Sequence, residues 1–101
     1  MVVYNISIKI DLSIEKNWVK WQQQEHIPEV MATGFFTEYK FYKLLNQDES
    51  EGPTYVIQYA ATAIDNYNRY IEEQAPLLRQ KAVSKWGDKF IAFRTLLQVV
   101  N

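Results

Sequence analysis

The chain has 101 residues, enough for one compact domain that buries only about 60 to 65% of its unfolded surface, so its core is adequate and gains from a partner subunit. Its composition is 48% hydrophobic and 15% aromatic with three glycines and three prolines, which describes an ordered globule and excludes a linker or disordered tail. Eleven basic against twelve acidic residues leave a formal charge of −1 with no polybasic run, and there is no cysteine; neither a nucleic-acid footprint nor an anionic-membrane patch is indicated, and disulfides, thiolate nucleophiles and cysteine-based zinc sites are excluded.

The N-terminal "VVYNISIKI" has period two, with Tyr4, Ile6, Ile8 and Ile10 on one face and Val3, Asn5, Ser7 and Lys9 on the other. It predicts a strand over Val2–Ile10 rather than a signal peptide, and no later stretch is apolar enough to span a bilayer. With the absence of cysteine this gives the expectation of a cytoplasmic protein. Asp11 to Ser13 supplies capping residues, and Ile14, Trp18 and Trp21 recur at helical spacing through about Glu25, predicting a first helix. Pro28 disfavours helical angles at Ile27, so that helix is expected to break near His26 and a short second piece to cover residues 28–33 before Gly34. "FFTEYKFYKLL" at 35–45 and "TYVIQYAAT" at 54–62 are rich in aromatic and β-branched residues and read as two strands joined by the polar "NQDESEG". Thr62 and Asp65 have capping-box spacing, and Tyr67, Tyr70, Ile71, Gln74 and Leu78 mark one stripe of a second helix. That helix is expected to be interrupted at Ala75-Pro76, to resume through Lys85 and to stop at Trp86-Gly87. "KFIAFRTLLQVV", 89–100, predicts the last strand.

The order βαββαβ, with a right-handed crossover in each half, gives an α+β, ferredoxin-like domain spanning 1–101: a four-stranded antiparallel sheet ordered 4-1-3-2 with both broken helices on one face. The halves echo each other, Trp18-x-x-Trp21 leading to Pro28 and Tyr67-x-x-Tyr70 to Pro76, as two helices meeting equivalent bending demands would. The other face of the sheet is expected to carry Val3, Asn5, Ser7 and Lys9; Phe36, Glu38, Lys40, Tyr42 and Leu44; Val56, Gln58 and Ala60; and Phe90, Ala92, Arg94, Leu96 and Gln98. Such a surface is too apolar for free solvent and too polar for a dry core, and it predicts a homodimer packed sheet against sheet, with Phe36, Tyr42, Val56, Phe90 and Leu96 as its apolar contacts.

The segments "VYNISIKID", "WVKWQQQEHIPEVMATGFF" and "KFIAFRTLL", with the W-x-x-W-x-x-x-x-H-I-P-E motif at 18–29, resemble a bacterial family of small single-domain proteins that carry a domain of unknown function. More remotely the topology resembles the dimeric α+β barrel superfamily, which includes antibiotic-biosynthesis monooxygenases, haem-degrading enzymes and muconolactone isomerases. The resemblance implies a pocket between helices and sheet. It does not imply haem, because the iron-binding histidine of the haem-degrading members lies on the second helix and 67–85 contains none; no cofactor is expected. The monooxygenase-like members work without metal or flavin, and the resemblance would give Asn5, Trp18 or Trp21, and Tyr59 or Tyr70 their parts.

His26, the only histidine, is the candidate proton-transfer group, with the alternative of a helix-end residue that satisfies a carbonyl. Asn5 and Arg94 are candidate polarising residues, Arg94 alternatively pairing with an acid across the dimer or facing an anionic ligand. Trp18, Trp21, Tyr59, Tyr67 and Tyr70 are candidate walls of a cavity for a flat aromatic molecule, with ordinary helix-to-sheet core as the alternative. A metal site is not expected, since one histidine without H-x-x-x-H or E-x-x-H spacing is a poor ligand set. The leading expectation is thus a dimer that binds a small aromatic or apolar molecule. The alternatives are a cofactor-independent monooxygenase-like or isomerase-like enzyme using His26, or a structural module with a filled core. A pocket reached by His26 would favour the enzyme, an apolar pocket without it binding, and no pocket the structural module.

Overall fold

A computed structural model describes residues 1–101. Strand β1 (Val2–Ile10) leads through a 3-10 turn at Leu12–Ile14 into α1 (Glu15–Trp21), a π-helical segment (Gln22–His26) and α2 (Ile27–Ala32). Strands β2 (Glu38–Lys43) and β3 (Thr54–Ala61) follow, then α3 (Ile64–Glu73), α4 (Ala75–Trp86) and β4 (Phe90–Gln98). All neighbouring strands are antiparallel and their order is β2-β3-β1-β4, the ferredoxin-like arrangement expected from the element order.

Local chemistry accounts for most boundaries. The Asp11 carboxylate accepts from the Ser13 backbone N–H at 2.8 Å and opens the first helical turn. At the far end Gly87, at φ 62, ends α4 in a backbone conformation that side-chain-bearing residues rarely adopt. The second helix is interrupted where Pro76 requires it: Gln74, at φ −119 and ψ −38, is the single residue between α3 and α4.

Four expectations are corrected. The first helix does not break at His26; Ile27 keeps helical angles of −60° and −45°, and the widened π turn before Pro28 gives the ring the room that an α-turn would deny it. The Thr62/Asp65 capping box does not form. β3 ends at Ala61, Ala63 occupies the cap position without a side-chain bond, and the Thr62 hydroxyl accepts from Asn66 Nδ2 at 3.4 Å.

The third correction concerns which way β4 faces. Arg94 stands opposite Ile6, Ala92 opposite Ile8, Phe90 opposite Ile10 and Leu96 opposite Tyr4, and residues directly opposite in an antiparallel pair share a face. Phe90, Ala92, Arg94 and Leu96 therefore lie on the helix side, and Ile91, Phe93, Thr95 and Leu97 on the uncovered side. Each set has three apolar residues of four, so the period-two pattern admits either phase and only pairing with β1 decides. Phe36 is also moved: it precedes β2 and is buried in the core.

The core lies between the sheet and the helices. On the α3 side it is an aromatic cluster in which Phe36 meets Tyr70 edge-on at 4.9 Å and Tyr4 meets Tyr67 at 5.2 Å. On the hairpin side the Tyr55 hydroxyl donates to Glu15 Oε2 at 2.7 Å, and Lys43 Nζ lies 2.9 Å from the same oxygen, tying α1 to β2 and β3. These two partners hold the Glu15 carboxyl below its ordinary range, the Tyr55 bond contributing most.

Candidate functional site

Between α1, the π segment and α4 on one side and the sheet on the other is an open cavity of about 300 Å³. Its floor is the helix-side row of the three adjoining strands: Ile6 and Ile8 of β1, Ile57 and Tyr59 of β3, and Phe90, Ala92 and Arg94 of β4. Its roof is Trp18, Trp21, Gln22 and His26 from the first helical stretch and Arg79, Ala82 and Val83 from α4. Residues four apart in an α-helix drift by about 40° around the axis; the wider π turn reduces that drift and keeps Trp18, Gln22 and His26 in one column above the cavity.

The two helical stretches are joined across the cavity at separate points. Trp21 meets Trp86 edge-on at 5.8 Å, and Lys81 Nζ of α4 lies 2.8 Å from Glu29 Oε2 of α2.

The His26 ring stacks on Trp21 with centroids 4.7 Å apart and planes at 23°. Burial is the main reason its pKa falls from 6.5 to about 4; Glu29 opposes that shift, while Arg94 and Lys81 add to it. The imidazole is therefore neutral at pH 7. Tyr59 is fully enclosed, its hydroxyl has no hydrogen-bond partner, and burial pushes its pKa far up, so it is a phenol and not a phenolate at any ordinary pH. Gln22 is buried too, with Oε1 unpartnered. Arg79 donates from Nη2 to the Tyr4 hydroxyl at 3.0 Å. Buried polar atoms are nearly always satisfied in folded proteins, so these two, on residues that line one cavity, are exceptions.

Of the residues expected at a site, the fold brings His26, Arg94, Trp18, Trp21 and Tyr59 together. Tyr67 and Tyr70 belong to the adjoining aromatic cluster rather than to the cavity wall. Asn5 stands apart on the opposite face of the sheet, where its Nδ2 donates to Thr95 Oγ1 at 3.4 Å and its Oδ1 accepts from Gln58 at 3.2 Å. Arg94, placed on that face by the sequence pattern, lines the cavity instead and remains exposed. Gln22 and Arg79 were not anticipated; the spacing of Gln22 four residues from both Trp18 and His26 was the available signal, whereas nothing in the sequence of α4 distinguishes Arg79 from its other cations. No three His, Cys, Asp or Glu side chains converge to hold a metal ion, and no helix is long and apolar enough to cross a membrane.

A family model described as a domain of unknown function, DUF4286, matches residues 1–100. The chain belongs to this family. No curated protein matches the sequence of this DUF4286 chain. Among solved structures it is similar to SnoaB, a cofactor-independent oxygenase from Streptomyces nogalater, at 11% identity and a TM-score of 0.67, covering 99% of this chain and 93% of that one. It is also similar to a dimeric ferredoxin-like protein from an uncultured marine organism, at 12% identity and a TM-score of 0.68, covering 100% and 96%. A third likeness is to an ethd family protein from Bacillus halodurans, at 11% identity and a TM-score of 0.69, covering 99% and 100%. At such identities these likenesses establish the fold of the DUF4286 chain and carry no activity across to it.

Proposed function

We propose that this protein is a cytoplasmic homodimer in which each protomer binds one small aromatic or apolar molecule in the cavity between helices and sheet. The observation that carries the reading is the cavity itself: about 300 Å³, open, and walled by ten hydrophobic residues out of fourteen. That is the make-up of a small-molecule site, apolar with a few convergent polar groups. A module with a filled core would have no such space. The dimer is supported by the uncovered sheet face, where Ile91 is 58% and Phe93 67% exposed beside Val3, Tyr42, Val56 and Leu97, and by the structural neighbour described as a dimeric ferredoxin-like protein.

The test is to extract protein purified from its native host with organic solvent and to screen aromatic compounds against the empty protein by thermal denaturation. A bound compound at a hundred times its Kd should add about 2.7 kcal/mol of stability. Absence of any extracted molecule, together with no compound raising the melting temperature, would remove the reading.

A second reading is favoured by one observation: His26 lines the same cavity. A cofactor-independent oxygenase-like or isomerase-like enzyme would use its neutral imidazole as proton acceptor, Arg94 polarising the substrate, and SnoaB is an enzyme of the cofactor-independent kind. The reading ranks second because a pKa of about 4 makes the free imidazole a weak base, and general bases work best with a pKa near the operating pH. Under it, His26→Gln abolishes turnover and leaves the fold intact; retained turnover in that variant would end it.

A further inference from the structure

We propose that the occupant of the cavity is an organic monoanion, an aromatic or aliphatic body seated against Trp18, Ile57 and Phe90 with a single carboxylate held by Arg79 and Arg94. This rests on the cavity being a ligand site and extends it to the ligand's charge.

The argument begins with what the cavity lacks. Its wall contains two guanidinium groups and not one aspartate or glutamate. Elsewhere in the molecule cations that come near structure are paired: Lys43 with Glu15, Arg69 with Glu73, Lys81 with Glu29. Neither Arg79 nor Arg94 has a carboxylate within 4.0 Å; both are exposed, as the other unpaired cations are, but only these two line the cavity. Both arginines keep much of their surface in water at the mouth of the cavity, so neither needs a partner to be stable there, but a cleft with low-dielectric walls concentrates their field on whatever enters.

The geometry suits a carboxylate. Arg79 spends one of its five N–H groups on the Tyr4 hydroxyl, which fixes the plane of the guanidinium and leaves the other donors for a planar, two-oxygen acceptor. Arg94 stands opposite Ile6, two residues along β1 from Tyr4 and on the same face, so the two arginines approach the same stretch of β1 from the roof and from the floor.

The experiment compares three probes of one shape by isothermal titration calorimetry on the full chain: 2-naphthoate, 2-naphthylmethanol and 2-naphthylmethylammonium. Naphthoate should bind at least about tenfold more tightly than the alcohol, as a charge-assisted hydrogen bond predicts, and the ammonium more weakly than either. R79Q and R94Q should each bring the acid-to-alcohol ratio towards one. Naphthoate, and not the alcohol, should also raise the titration midpoint of the His26 ring measured by NMR. Equal binding of acid and alcohol would overturn the anion assignment while leaving the cavity a ligand site. Binding of none of the three would overturn both, and a preference for naphthoate that survives both replacements would place the carboxylate elsewhere and overturn this assignment alone.

Discussion

At the scale of single residues, the cavity is a place where stability has been set aside for reach. His26 is held neutral, with its pKa lowered from 6.5 to about 4 by burial above all. The unfolded chain therefore binds a proton that the folded chain refuses between those values, so the stabilising contribution is complete above pH 6.5 and is lost as pH falls to about 4. Its size is up to about 3 kcal/mol. Asp11, Glu15 and Asp48, whose folded pKa values are held below ordinary carboxylate values of 3.8 to 4.5 by hydrogen bonds, lose their contributions only at lower pH. Urea unfolding should thus reveal a fall in stability between pH 6.5 and 4.5 in the native sequence and a flatter profile in His26→Gln; identical profiles would contradict the assignment. Tyr59 offers a second case. Its buried hydroxyl has no partner, so Tyr59→Phe removes an unsatisfied group and should stabilise the empty protein by about 1 kcal/mol. A loss of stability in the same measurement would mean that the hydroxyl is satisfied within the protein.

At the scale of elements, position is decided by turns and pairing. The π segment carries Gln22 and His26 over the cavity without breaking the helix, and the sequence cue for it, Pro28 at the end of a helical pattern, is the same cue that marks a break. The hairpin connection is anchored at Gly52. Its φ of 108 and the carbonyl oxygen of Ile10, into which an added Cβ would run, leave no room for a side chain. Next to it the Ile10 N–H donates to the Pro53 carbonyl at 3.0 Å, closing the hairpin against the end of β1. Gly52→Ala should cost more than about 2 kcal/mol in chemical denaturation, because both the clash and the backbone angle count against it. A cost below half that figure would mean the connection shifts freely.

At the scale of the whole molecule, one sheet separates two surfaces of different make-up. The helix side holds the core and the cavity; the other side presents Ile91, Phe93, Leu97, Tyr42, Val3 and Val56 around a polar centre of Asn5, Gln58 and Thr95. The corrected phase of β4 gives this face Ile91, Phe93, Thr95 and Leu97 in place of Phe90, Ala92, Arg94, Leu96 and Gln98, which removes its arginine. Sedimentation equilibrium should give about 24 kDa, twice the 12.0 kDa chain, and Phe93→Glu should return the protein to one chain by placing charge in the apolar patch of an isologous contact. A native chain that sediments at 12.0 kDa would refute the dimer.

Composition and periodicity by themselves determined the number and kind of elements, their order, the sheet topology and the identity of the core face of β1 and β3, because a strand of alternating Ile and polar residues has only one face to bury. They also marked Trp18, Trp21, His26 and Tyr59, since large aromatics and a lone histidine stand out in any listing of residue types. Only the tertiary structure decided that Arg94 enters the cavity, that Asn5 does not, that Phe36 joins the core and that Arg79 and Gln22 meet the others. The physical reason is one of register: in β4 both faces carry bulky apolar residues, so its phase follows from which residue of β1 each hydrogen-bonds to, and pairing between residues some ninety positions apart leaves no local trace in the chain.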